Sequence, residues 1–168
     1  LWDVWPIPRP ALARHPDYFT RAKITRCAER VREGRRCVAA YLDGYLAHIA
    51  WVTERTGPLS AGELPATVDA SDGAWVDITD CWTAPEFRGL GIYPAVLSSI
   101  LAHPFTRDRD VWIYCDIHNC ASDIGIARAG FNLRLTVRQR RILGLWRIPH
   151  VVWYGPGTTI QVNAAGAE

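Results

Sequence analysis

Apolar positions recur at two different periods along the chain, and the switches between them mark its elements. From Asp17 to Glu33, Phe19, Ala22, Cys27 and Val31 return at helical spacing among Arg and Lys, which predicts an amphipathic helix. Asp17 is placed to cap its start and Gly34 to end it. The run CVAAYLDGYLAHIAWV then reads as two strands around Asp43-Gly44, a pair that tolerates positive φ and marks a tight hairpin. Residues 54–74 are polar and aperiodic, which predicts a long loop. WVDITDCWT (75–83) reads as a strand, the segment from about Pro94 to Ala102 as a helix, and VWIYCDI (111–117) as a second strand. NCASDIGIARAGF (119–131) predicts a short helix opened at Asn119 and ended at Gly130. In LRLTVRQRRIL, Leu133, Leu135 and Val137 alternate with Arg134, Thr136 and Arg138, a half-buried strand, and VVWY (151–154) supplies a last one.

The order is helix, hairpin, strand, helix, strand, helix, strand, strand. It predicts an α/β (α+β) fold with a mixed sheet and too few alternating units for a doubly wound dinucleotide fold. At 168 residues the chain is expected to form one domain over 1–155, with 156–168 as a flexible tail.

A net charge of +2 is too small to argue for nucleic acid or an acidic membrane as partner, and no run of apolar residues is long enough to span a bilayer. Cys27, Cys37, Cys81, Cys115 and Cys120 are odd in number and scattered, which points to free thiols and a cytoplasmic setting. CDIHNC (115–120) gathers Cys, Asp and His, but its spacing fits no zinc pattern, so no metal is expected.

The chemistry concentrates in TAPEFRGLGIYPAVLSSIL (83–101). Gly89 and Gly91 stand between a strand end and a helix start, beside Arg88. The first amides of a helix lack intrahelical partners and its dipole favours an anion, so Arg88, Gly89, Leu90, Gly91, Ile92 and Tyr93 form a candidate anion cradle. A phosphate-binding P-loop fits poorly, since its Gly-Lys-Ser/Thr ending is missing and Tyr93-Pro94-Ala95 stands where the lysine should be. A dinucleotide fingerprint fails at Pro94, and Asp77 and Asp80 do not suit a strand buried on both faces, which disfavours a nucleotide-dependent oxidoreductase.

Arg88-Gly89-Leu90-Gly91-Ile92-Tyr93 resembles the Arg/Gln-x-x-Gly-x-Gly/Ala signature of the GCN5-related N-acetyltransferase (GNAT) superfamily, departing from it at Tyr93, where a small residue is usual. Asn119 and Gly130-Phe131 resemble a second segment of that family at the matching distance. The resemblance is firm over 75–131 and plausible over 35–55. It implies a mostly antiparallel central sheet, splayed between its fourth and fifth strands and flanked by helices. It further implies acetyl-CoA (acyl-CoA) as co-substrate and a small-molecule amine as acceptor, in a monomer or homodimer. The pyrophosphate would lie on the amides of 89–93, the pantetheine arm along Cys81, Trp82 and Thr83, with Asn119 and Ser122 facing the cofactor. For Asn119 a helix cap is an equally good reading.

Asp80 and Asp77 are the candidate catalytic carboxylates, with Asp80 ranked first as nearer the splay. Three residues apart on a regular strand they point to opposite faces, unless a bulge intervenes. Ile126 occupies the position of the family's usual tyrosine acid, with Tyr93, Tyr114 and His118 as substitutes. That departure also admits a non-catalytic acyl-CoA sensor. The segment 83–101 is similar to acetyltransferases of cell-envelope sugar biosynthesis, which makes an amino sugar the expected acceptor.

Overall fold

A computed structural model describes residues 2–60, 67–68, 73–142, 146–153 and 160–161. In chain order the elements are α1 (Arg9–Ala13), α2 (Arg21–Arg32), β1 (Arg36–Leu42), β2 (Tyr45–Arg55), β3 (Leu59–Ser60), β4 (Thr67–Val68), β5 (Trp75–Thr83), α3 (Ile92–Leu101), β6 (Asp110–Ile113), α4 (Cys120–Arg128), β7 (Leu135–Ile142), β8 (Trp146–Trp153) and β9 (Ile160–Gln161). The chain divides into two compact units, one of Leu1–Arg55 with Trp75–Gly130, the other of Thr56–Ala74 with Phe131–Glu168.

The first unit is built on a sheet of order β1-β2-β5-β6, antiparallel except for the β5–β6 pair. Parallel neighbours need a crossover, which α3 provides. Asp43 and Gly44 both take positive φ at the β1–β2 turn, as their residue types predict. One face of the sheet carries Cys37, Ala39, Leu46, Ile49 and Trp51, buried with Ile7, Leu12, Phe19 and Cys27 from the N-terminal segment and α2. Alternate residues of β1, β2 and β5, including Val38, Ala50, Val52 and Ile78, are buried, and α3 contributes Val96, Leu97 and Ile100 to the core. Fully burying each such aliphatic side chain stabilises the fold by roughly 1.5–3 kcal/mol.

Thr20, rather than Asp17, caps α2, its side chain accepting from the Lys23 amide at 3.2 Å. Ahead of α2 the chain forms α1, a five-residue helix with proline in its first turn. The second expected strand stops at Ile113, four residues early. In the second unit β7 and β8 pair antiparallel along their whole lengths, and β4 lies between β3 and β9. Leu133 precedes β7 and is exposed, so it is not part of the alternating strand expected of it. Ile160–Gln161, within the stretch read as a tail, pairs with β4, while 162–168 and Tyr154 lie outside the described residues. No helix among the described residues is long and apolar enough to cross a membrane.

Candidate functional site

The two features that open the sheet both lie on β5. Trp51 opposes Thr79 and Ile49 opposes Trp82, so two steps along β2 are matched by three along β5. This is a bulge, and Asp80 takes it up at φ 50°, a left-handed conformation that Asp tolerates better than most residues. The second feature is the end of the β5–β6 ladder. Its register runs from Trp75↔Asp110 to Ile78↔Ile113, and β5 continues alone on that side to Thr83. The strands part where the resemblance places a splay, leaving the main chain of Cys81, Trp82 and Thr83 beyond the ladder.

The bulge decides where the carboxylates point. Asp80 accepts from Lys23 Nζ at 2.5 Å, from Arg30 Nη1 and from Tyr18 Oη at 3.2 Å, so it faces α2. Asp77 lies on the same face by register: Thr79 opposes Trp51 and Asp77 opposes Thr53, each pair sharing a side. The regular-strand expectation of opposite faces therefore gives way to a shared one. Their environments differ. Burial pushes the Asp80 carboxyl up, but the Lys23 and Arg30 hydrogen bonds outweigh it and hold it below the usual carboxylate range. Asp77 is 5% exposed, and burial raises it against the opposing pull of Arg55, whose Nη2 is 3.7 Å away. Around Asp77, Thr53 Oγ1, Thr79 Oγ1 and Trp51 Nε1 are buried polar atoms without a hydrogen-bond partner. Trp82 stacks on Tyr18 at 4.4 Å and takes the edge of His15 at 4.9 Å, an aromatic wall beside the bulge.

Beyond Thr83 the chain is pinned before it turns. The Ala84 amide donates to Ala47 O at 2.9 Å, a short 3-10 turn covers Pro85–Phe87, and Arg88 Nε donates to Thr83 O at 3.1 Å. Gly89 and Gly91 take φ 79° and 75°, which only glycine adopts without strain, and their missing Cβ positions face open space. Gly91 precedes α3 without a side-chain cap, so the first amides of α3, at Ile92 and Tyr93, open the helix with no intrahelical acceptor. Pro94 falls two positions later than expected, at the third helical residue. Leu90 is exposed at the tip. The arrangement is an open amide cradle with a guanidinium beside it, the donor set a diphosphate requires.

Tyr93 does not crowd this loop. Its ring stacks on His48 at 5.5 Å and fills the place of a side chain at Gly125, where a Cβ would stand 2.5 Å from Cδ1. Its hydroxyl lies 3.2 Å from Ser122 Oγ and close to the Cys81 thiol. Ser122 in turn lies close to the Cys115 thiol. Asn119 caps α4, its side chain accepting from the Ser122 amide at 3.2 Å. Burial pushes the Cys81 thiol up to about 12, which leaves it protonated and a poor nucleophile. Tyr114 and His118 are exposed. Among the described residues no cluster of three His, Cys, Asp or Glu could hold a metal ion.

Five participants escaped the sequence reading. Lys23 and Arg30 sit seven apart, hence on one helix face, but their partner lies 57 and 50 residues along the chain. Tyr18 shares that partner. Gly125 had a local signal, a glycine inside a helix. His48 had one too, the lone polar residue in the apolar run 46–52; its Nδ1 lies 2.8 Å from Thr83 Oγ1, and burial lowers it to about 4, hence neutral.

No family model and no curated protein sequence matches the chain. Among solved structures it is similar to the apo aminoglycoside 6'-N-acetyltransferase AAC(6')-IG of Acinetobacter haemolyticus, with a TM-score of 0.52 and 12% identity over 76% of this chain and 89% of that one. A predicted acetyltransferase of Clostridium acetobutylicum, crystallised with acetyl-CoA, aligns with a TM-score of 0.47 and 13% identity over 73% of this chain and 80% of that one.

Proposed function

For a chain with the fold of the GCN5-related N-acetyltransferases, we propose transfer of an acetyl group from acetyl-CoA to a primary amine of a small molecule, an amino sugar by preference. The observation that carries this reading is the parting of β5 from β6 directly before an open glycine cradle, with a buried carboxylate on the same strand. The open amides of 89–93 and Arg88 suit the CoA pyrophosphate. The unladdered stretch Cys81–Thr83 offers main-chain groups to an extended amide-bearing arm, as a missing strand would.

Of the two carboxylates, Asp77 suits the base. A base that must take a proton near neutral pH works best when its own affinity for protons is raised, and burial raises that of Asp77. Asp80 is held ionised by two cations and is assigned to fixing the bulge and α2. Thr53 and Thr79 hydroxyls, unpartnered and beside Asp77, would orient the amine. The amine nitrogen then attacks the thioester carbonyl, a C–N bond forms, the C–S bond breaks, and the amine proton passes to Asp77.

The test has two stages. Acetyl-CoA should raise the melting temperature of the native protein by several degrees and leave Arg88→Glu unshifted. An amine panel with free-thiol detection should then give turnover on amino sugars, lowered about a hundredfold or more in Asp77→Asn. No response to any acyl-CoA would sink the reading. Binding without thiol release across the panel would favour the acyl-CoA sensor, which draws its support from Ile126 on α4 in place of a titratable residue.

A further inference from the structure

A string of polar side chains crosses the gap that the β5–β6 ladder leaves open. Cys81 stands on β5 past the last β6 partner, and Cys115 stands two residues past the end of β6. Between them run Tyr93 Oη, 3.2 Å from Ser122 Oγ, and the Ser122 contact to Cys115. Tyr93 belongs to α3 and Ser122 to α4, so two helices deliver hydroxyls into one opening between strands. The ring of Tyr93 has little freedom there. Gly125 receives its Cδ1 edge and His48 stacks on its face. An anchored ring with a hydroxyl at a strand opening is a preorganised donor, the arrangement that stabilises a charge appearing during reaction.

We propose that Tyr93 Oη, braced by Ser122, donates a hydrogen bond to the thiolate released in this gap and keeps its own proton throughout. The inference rests on the acetyl-transfer reading above. The C–S bond breaks with its electron pair going to sulfur. The thiolate leaves as the anion, the amine proton resides on Asp77, and the hydroxyl turns from Cys81 to the departing sulfur. Burial, and then the neighbouring Cys81, raise the phenol well above its ordinary range, so it serves as a donor of a hydrogen bond rather than as an acid. The titratable groups facing it are Cys81 from β5, Cys115 beyond β6 and His48 from β2.

The experiment compares the native protein with Tyr93→Phe and Ser122→Ala, using CoA, desulfo-CoA and acetyl-CoA. Tyr93→Phe keeps the ring against Gly125. In the native complex the thiol of bound CoA, followed by ultraviolet absorbance, should titrate below that of free CoA, and in Tyr93→Phe it should return to the free value. The kcat should fall about 10- to 100-fold in Tyr93→Phe and about 3-fold in Ser122→Ala, the scale of one hydrogen bond to a charged group. KM for acetyl-CoA and affinity for desulfo-CoA should change less than about 2-fold, since neither contains the thiolate. A Tyr93→Phe protein with native kcat and native thiol titration overturns the proposal and leaves acetyl transfer standing. Should Tyr93→Phe not fold, an unchanged kcat in Ser122→Ala overturns it. Failure of the native protein to bind any CoA overturns both readings together.

Discussion

Asp80 shows how much one residue type can carry. Its side chain joins Lys23, Arg30 and Tyr18 from the α2 region to β5, and its backbone accepts the left-handed conformation of the bulge. Asn tolerates that conformation as well as Asp does, so Asp80→Asn removes the charge and leaves the backbone preference intact. It strands two cations at side-chain exposures of 20% and 14%, where breaking an ion pair costs about 2–4 kcal/mol. The sign with pH follows from the depressed carboxyl. A group held lower when folded than when unfolded stabilises above its unfolded value near 3.9, and that contribution disappears as pH falls through the folded one. Urea unfolding should therefore show native and Asp80→Asn proteins far apart at pH 7 and converging in acid below the ordinary carboxylate range. Equal stability at pH 7 would contradict the ion cluster. None of this was legible beforehand, because the identity of Asp80 signals a charge but not the bulge that aims it.

At the scale of elements, the readings that held had short-range causes. The Asp43-Gly44 turn, the start of α4 at Asn119 and its end at Gly130, φ 97°, each follow from a residue's own conformational preference. The positive φ of Gly89 and Gly91 follows from residue type in the same way. What escaped depends on packing between elements: the length of β6, set by where its partner diverges, and the docking of α3 on α4. That docking is the Tyr93–Gly125 contact, a large side chain from one helix in the notch of another. Gly125→Ala puts a methyl 2.5 Å from Tyr93 Cδ1, closer than carbon atoms can approach, and should cost about 1–3 kcal/mol. Helix propensity acts the other way, since Ala is favoured over Gly inside a helix by about 1 kcal/mol. Tyr93→Ala removes the ring and costs stability by leaving a cavity. In the double variant the methyl meets empty space and only its helix preference remains. A double-mutant cycle by thermal or urea unfolding should thus give a positive coupling of about 1–3 kcal/mol, the double variant standing above the sum of the singles. Additive losses would mean that the two helices do not meet through this pair.

At the scale of the whole molecule, strand length says where local opening begins. The fully buried residues of β1, β2 and β5, among them Trp51, Ile49, Val52 and Val76, all lie in the first unit. The three-stranded sheet of the second unit has only two residues in each strand. Ordering each residue of so short a strand costs about 1–2 kcal/mol of backbone entropy, against a net gain of about 0.5–1.5 kcal/mol for a hydrogen bond. Such strands open locally well before the global transition. Periodicity could not forecast them, since two residues have no period; β4 is defined by its partners, one of them more than ninety residues along the chain. Ending the chain after Gly155 removes β9 and leaves β4 with β3 alone. Native-state hydrogen exchange should then lose its residual protection at Thr67 and Val68, while the amides of 45–55 and 75–83 continue to exchange only through global unfolding. The melting temperature should move by less than about 2 °C, because the sheet that sets it retains every partner. A large drop, with faster exchange in β2 and β5, would mean that the C-terminal segment contributes to the stability of the main sheet.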